Sequence, residues 1–185
     1  MLLALASTLL LAACGSDSKP GASPETQPPT SVTAPDGHVV KPASTEPSVS
    51  AKMICDDEVK EDLEGLIGVE PIAPVKPTWK DHVYACTYKY KGGDLTLAVK
   101  ELVDKPATDE YFESLAKDLG KTEDINGLGE GAFTTKDKSA VVRKDYKVLL
   151  VDISKLPARF GNPPAGRDDI ALNVAATIMG CWTGL

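Results

Sequence analysis

The sequence predicts an α+β fold in which a five-stranded, mostly antiparallel sheet packs against about three helices, in the order α-β-β-α-β-β-β-α. Three observations predict it. Apolar residues recur with a helical period in three segments after residue 52, and five shorter segments alternate between apolar and polar residues, as strands do. The connections are short, which favours antiparallel pairing. We expect the helices to cover one face of the sheet.

An uncharged apolar run over residues 1–13 ends at a cysteine. The run is too short to span a bilayer, which takes about 20 apolar residues, and it matches the apolar region of an export signal. The residues Leu11–Ala13 precede Cys14 in the arrangement of a bacterial lipobox, in which the cysteine thiol takes a diacylglycerol. We predict a signal peptide over residues 1–13 and lipidation at Cys14. A chance cysteine after an ordinary signal peptide is the alternative.

The same N-terminus predicts where the protein resides. Export signals ordinarily open with Lys or Arg, whereas Leu2 follows Met1 here, so we expect a signal that is truncated at its N-terminus. Each acyl methylene buried in a bilayer contributes about 0.8 kcal/mol, and several chains on Cys14 would hold the mature protein on the membrane. The expected location is the extracytoplasmic side of the cell membrane, with the lipid anchor as the membrane contact.

Residues 14–52 are predicted to be the lipidated cysteine and a disordered tether. After Cys14 they include seven Pro, seven Ser and four Thr but few large apolar residues. Such a segment cannot bury enough surface to offset the entropy of ordering. Extended at about 3.1 Å per residue, it would reach on the order of 100 Å. A proline-rich ligand for a partner is the alternative, although no P-x-x-P core is present.

Residues 53–185 are predicted to be a single globular α+β domain. A first helix is predicted over residues 56–67, with three acidic residues in its first turn, where they favour the positive end of the helix dipole. A second is predicted from a Thr108 cap to Gly120, and a third over residues 168–181, apolar on nearly every side.

Five strands are predicted between these helices. Residues 84–90 and 95–99 alternate on either side of a glycine turn at 91–94, which is typical of a hairpin. The other three strands are predicted at residues 131–136, 139–144 and 146–154. The last contains Val148–Val151, which is apolar on both faces, so we expect this strand at the centre of the sheet.

Three cysteines remain if Cys14 is lipidated, and thiols outside the cytoplasm tend to pair. Cys55 opens the apolar face of the first helix, and Cys86 faces the same way as the tyrosines of its strand. A bridge between them would close a loop of about thirty residues and contribute roughly 3 to 4 kcal/mol through chain entropy. We predict the Cys55–Cys86 bridge, with Cys181 free and buried; pairing of Cys181 with either of the others stays open.

Catalytic and metal-binding signatures are few. His82 is the only histidine after residue 52, so a Ser-His-Asp triad would have to use it, and no G-x-S-x-G elbow is present. Zinc-ligand spacing is lacking, and the pairs Asp56-Asp57 and Asp168-Asp169 stand at helix starts, where capping explains them. Strand-like sequence follows Gly127–Gly131, unlike a phosphate-binding loop. We predict no catalytic residue, no metal and no cofactor.

Several features together resemble small cell-envelope lipoproteins of actinobacteria. They are the lipobox, the tether, Cys55 at a helix start, Cys86 in a strand, the Gly-Leu-Gly-Glu-Gly-Ala-Phe stretch at 127–133 and the closing apolar helix. The resemblance covers most of residues 53–185, and Cys181-Trp182 departs from it. Its motifs are structural, so it implies no activity.

The net charge of -7 gives little electrostatic support for nucleic-acid binding. We therefore predict a monomeric, non-enzymatic binding or sensing module for a small molecule, lipid or envelope component. A structural or assembly factor that binds other envelope proteins is the alternative, and an envelope hydrolase using His82 or distant carboxylates is a third possibility. An apolar cavity would favour the first, and a flat exposed apolar patch the second.

Overall fold

The computed structural model describes residues 31–34, 37 and 39–182. The predicted signal peptide, Cys14 and the first part of the predicted tether lie outside the described residues, so lipidation at Cys14 stays a prediction. Within the described ranges, none of the helices combines the length and the apolar character needed to cross a membrane.

The described residues include four α-helices, whose ends follow from local capping. Asp56 caps the second helix by accepting from the backbone N–H of Val59 at 3.0 Å, and Gly68 ends it at φ 70°. The third helix is capped by Asp104, not by the predicted Thr108, which is buried and donates its hydroxyl to the Asp104 carbonyl at 2.6 Å. The helices are α1 (Val49–Lys52), α2 (Asp57–Ile67), α3 (Lys105–Asp118) and α4 (Arg167–Trp182), with a 3-10 helix at Met53–Cys55.

One antiparallel sheet of seven strands forms the centre of the fold, in the order β3-β4-β5-β9-β8-β7-β6. Its strands are β3 (Thr78–Lys80), β4 (Val83–Tyr90), β5 (Gly93–Glu101), β6 (Lys121–Ile125), β7 (Gly131–Thr135), β8 (Ala140–Lys144) and β9 (Lys147–Asp152). Two short pairs lie outside it, β1 (Val32–Thr33) with β2 (Val39–Val40), and β10 (Arg159–Phe160) with β11 (Ala165–Gly166). The strand predicted to be central, β9, is the fourth of the seven.

The α+β class is confirmed, but the predicted number of five strands is wrong. The five predicted strands correspond to β4, β5, β9, β8 and β7, which lie side by side in the interior of the sheet. The two that were not predicted, β3 and β6, are its edges, and all of their residues are exposed or half-buried. A strand without a buried face has no apolar alternation to reveal it, and charged residues there protect the edge from aggregation.

Helices cover both faces of the sheet, so the expectation of one covered face is also wrong. α2 and α4 pack over one face, which includes Leu149 and Val151 of β9. α3 packs over the other face at β6, β8 and β9, where Phe112 contacts Phe133 with ring centroids 5.0 Å apart. A strand that is apolar on both faces needs cover on both, and this requirement explains the second helical layer.

The packed domain begins before residue 53. The backbone N–H of Ala43 donates to the Leu102 carbonyl at 2.9 Å, and the indole N–H of Trp79 donates to the Thr45 carbonyl at 2.9 Å. The prediction of a disordered tether is therefore wrong for its last part, residues 43–52. Residues 43 and 45 make these contacts through backbone groups, which leave no apolar pattern in the sequence.

A buried carboxylate fixes the start of α1. Glu101, only 4% exposed at the end of β5, accepts hydrogen bonds from the Ser48 backbone N–H at 3.0 Å and from the Ser48 hydroxyl. The Ser48 hydroxyl oxygen in turn accepts from the Ala51 backbone N–H at 3.2 Å, which makes Ser48 the cap of α1. We call this arrangement the Ser48–Glu101 clamp. It attaches the segment before the first long helix to the sheet.

A disulfide joins Cys55 to Cys86, with the two Cα atoms 5.9 Å apart. It fastens the 3-10 helix to β4, and it is the pairing that the sequence favoured. Cys181 is free, and it is half-buried rather than buried as expected. Burial, followed by the charge of Asp62 on α2, raises the pKa of its thiol, which makes the thiol less reactive.

Two buried tyrosines of β4 offer a matched test of hydrogen bonding. The Tyr88 hydroxyl donates to the Ile54 carbonyl at 2.8 Å, whereas the buried Tyr90 hydroxyl has no partner among the described residues. Burial raises the pKa of both side chains.

Tyr88→Phe leaves the buried Ile54 carbonyl unpaired, and we expect it to lower the free energy of unfolding by about 1–2 kcal/mol. Tyr90→Phe should stay within about 0.5 kcal/mol of wild type, or be more stable. Equal losses in urea denaturation would contradict this.

Candidate functional site

A cleft of about 420 Å³ opens beside β4, on the half of the sheet that α3 does not cover. Small side chains form its floor, because Ala85 and Thr87 lie on one face of β4 and the register places Thr78 opposite Ala85 on that face. Other parts of its lining come from the segment 73–76 and from Lys89. We call it the β4 cleft. Its volume lies within the range of about 300–1,000 Å³ that is usual for ligand sites.

The edge of β4 is incompletely paired along this cleft. β3 pairs with β4 only as far as Ala85, and beyond the cleft the backbone N–H of Ile72 donates to the Lys89 carbonyl at 2.7 Å. Backbone groups two residues apart point to the same edge of a strand. The N–H and C=O of Thr87 therefore face the gap, and no backbone bond to either appears there among the described residues.

Proline residues explain why the chain leaves this gap. If β3 continued in the register of Thr78 and Ala85, Pro74 would lie opposite Lys89, and proline cannot donate a backbone hydrogen bond to a strand ladder. The segment 73–76 therefore does not continue β3 along β4 and forms a wall of the cleft instead. The prolines are visible in the sequence. They indicate an interrupted strand pairing only once β3 is known, and the sequence did not predict β3.

The β4 cleft is positively charged within an acidic protein. Lys76 and Lys89 line it and no carboxylate does, whereas the whole chain has a net charge of -7. Asp94 lies opposite Lys89 in the ladder but is not part of the lining. Lys100 is directed elsewhere, since its ammonium donates to the Asp81 carbonyl at 2.6 Å.

A second open cleft, of about 490 Å³, lies beneath β1 and β2. Its Arg143 already has partners: it pairs with the Asp109 carboxylate, donates to the Glu130 carbonyl at 3.2 Å and lies over the Phe112 ring. A hydrogen bond from Lys105, together with the charge of Arg143, lowers the pKa of Asp109. The charged groups here serve the packing of α3 against β8.

A third pocket, of about 90 Å³, contains two carboxylates and several hydroxyls. Asp152 already accepts from the Ser154 backbone N–H at 2.9 Å and from the Ser139 hydroxyl at 3.4 Å. Across the part of the chain that the structure describes, no group of three or more His, Cys, Asp or Glu residues is arranged to hold a metal ion.

The structure does not place His82 in a catalytic arrangement. His82 is exposed in the turn between β3 and β4, at φ 56°, with its ring 5.7 Å from that of Trp79. Among the described hydrogen bonds, its imidazole has none to a hydroxyl or a carboxylate. The glycine-rich stretch Gly127–Gly131 forms the turn from β6 into β7, as its strand-like continuation predicts.

The fold and the cleft together define a small α+β domain, held by a disulfide, with open clefts on its surface. No protein-family model, curated protein or solved structure matches the chain. The residues of the β4 cleft are therefore the basis for assigning a function.

Proposed function

We propose that this protein is a membrane-anchored extracytoplasmic lipoprotein whose domain is a non-enzymatic binding module. The lipobox before Cys14 and the resemblance to small actinobacterial envelope lipoproteins support the anchor and the location. The Cys55–Cys86 pair is consistent with an oxidising compartment, where disulfides persist.

The β4 cleft is the observation that carries the binding proposal. It combines a usual ligand-site volume, two lysines and unpaired backbone groups at one place. An open cleft suits an extended envelope component better than a small molecule that must be enclosed. The exposed position of His82 gives no support to the hydrolase alternative.

The anchor has a direct test. Cys14→Ser removes the thiol that accepts the lipid, so we expect the variant to leave the membrane fraction while wild type stays in it. Cys181→Ser is the matched control, since it removes a cysteine outside the lipobox and should leave the distribution unchanged. Incorporation of labelled palmitate into wild type but not into Cys14→Ser is the second measurement. A Cys14→Ser protein that stays on the membrane and takes up palmitate would exclude this anchor.

The cleft can be tested with a photo-crosslinking amino acid introduced into the full chain in its own cells. Placed at Thr78, which is exposed beside the cleft, it should form a defined adduct detectable by mass spectrometry. Placed at Glu123, exposed on the opposite edge strand, it should not. Thr87→Tyr fills the cleft and should abolish the Thr78 adduct. If the crosslinker gave the same adducts at Thr78 and at Glu123, and Thr87→Tyr did not affect them, the proposal would be wrong.

A further inference from the structure

We propose that the β4 cleft binds the C-terminal end of another envelope protein, with the free α-carboxylate of its last residue between Lys76 and Lys89. This inference rests on the proposed function and names the chemistry of the bound component. The unpaired backbone of Thr87, the two blocked ends of the gap and the charge of the lining support it.

The backbone of Thr87 offers the two groups that an extended peptide needs. Its N–H can donate to an oxygen of the ligand, and its C=O can accept from the last amide N–H of the ligand. Addition of a chain to an exposed strand edge is a recurring mode of peptide recognition. The small side chains of Ala85 and Thr87 allow a second backbone to approach closely.

The gap favours a chain end over a continuous strand. The Thr78–Ala85 pair closes one end of it, and the bond from Ile72 to Lys89 closes the other. A through-running strand would displace one of these pairings. A terminal residue can enter from the open face of the sheet and stop at Thr87.

The charge of the cleft selects the carboxyl terminus rather than the amino terminus. Lys76 and Lys89 both line the cleft, and a carboxylate that accepts from an ammonium and a backbone N–H forms charge-assisted hydrogen bonds. The ammonium of a peptide N-terminus would meet two like charges there.

The test uses the mature chain carrying Cys14→Ser, labelled with ¹⁵N, and two probes: N-acetyl-Ala-Ala-Ala as the free acid and as the C-terminal amide. We expect the acid to shift the amide signals of Thr87 and Lys89 in a saturable way. The amide should bind at least about tenfold more weakly, a difference of 1.4 kcal/mol, because it lacks the charge.

Matched variants separate the cleft from general charge effects. Lys76→Gln and Lys89→Gln should each weaken binding of the acid by about threefold or more. Lys121→Gln, on the opposite edge of the sheet, should leave it unchanged. Equal binding of acid and amide, or shifts that avoid Thr87, would overturn the inference. If crosslinking from Thr78 still succeeds in that case, the binding module stands and only the ligand chemistry fails; if both fail, both proposals fail.

Discussion

Replacing both bridged residues, as Cys55→Ala with Cys86→Ala, is expected to lower the free energy of unfolding by roughly 3 to 4 kcal/mol, because the bridge restricts the unfolded chain. Its two cysteines are 31 residues apart in sequence. The loss should appear in urea denaturation followed by far-ultraviolet circular dichroism. It is a large fraction of the 5–15 kcal/mol by which domains are commonly stable.

Cys181→Ser is the control for this variant, since its thiol is free and half-buried. It should change the free energy of unfolding by less than about 1 kcal/mol. Alkylation of the denatured, unreduced mature chain carrying Cys14→Ser should add one label, at Cys181. Three labels would show that the bridge does not form.

Glu101→Ala is expected to lower the free energy of unfolding by roughly 2 to 4 kcal/mol. The substitution removes the carboxylate that accepts from the Ser48 backbone N–H and the Ser48 hydroxyl, and each hydrogen bond to a charged group contributes about 1.5–3 kcal/mol. Burial lowers the pKa of Lys147, and the substitution removes the Glu101 charge that partly opposes this shift. Denaturation in urea gives the size of the loss.

Hydrogen exchange shows where the Glu101→Ala effect is located. The amides of residues 43–52 should exchange faster in the variant, because the clamp attaches this segment to β5. Glu113→Ala is the control: it changes an exposed carboxylate on α3 and should stay within about 0.5 kcal/mol of wild type. Unchanged protection of residues 43–52 in Glu101→Ala would argue against the clamp.

The interior strands of the sheet could be predicted because each has a buried face, and a buried face requires apolar residues at alternate positions in the sequence. The segments that became β4, β5, β7, β8 and β9 each place apolar residues on a buried face, and β9 does so on both faces. The ends of α2 and α4 were predictable within one residue for the same reason, since a helical period is visible over many residues. The start of α3 was not, because Asp104 and Thr108 are both good caps.

The β4 cleft could not be predicted, because it depends on the two features that sequence patterns describe least well. One is the edge strand β3, with three residues and little burial. The other is the proline-containing segment 73–76 before it, which leaves the backbone of Thr87 in β4 without a partner strand. The packing of residues 43–52 against the domain was not predicted for a related reason. Ser48 and Glu101 are 53 positions apart, and a hydrogen bond between them leaves no local pattern in the sequence.

The disulfide also defines how mechanical force would travel through the molecule. A pull on the chain before Cys55 enters β4 at Cys86 through a covalent bond, so α2 and β3 lie outside the loaded path. Cys86 also lines the β4 cleft, which shortens the path between the proposed anchor at Cys14 and the partner proposed to bind there. Under tension the hydrogen bonds at Ala43, Thr45 and Ser48 can break in turn and release about ten residues of chain, while the disulfide keeps the load on β4 within the sheet.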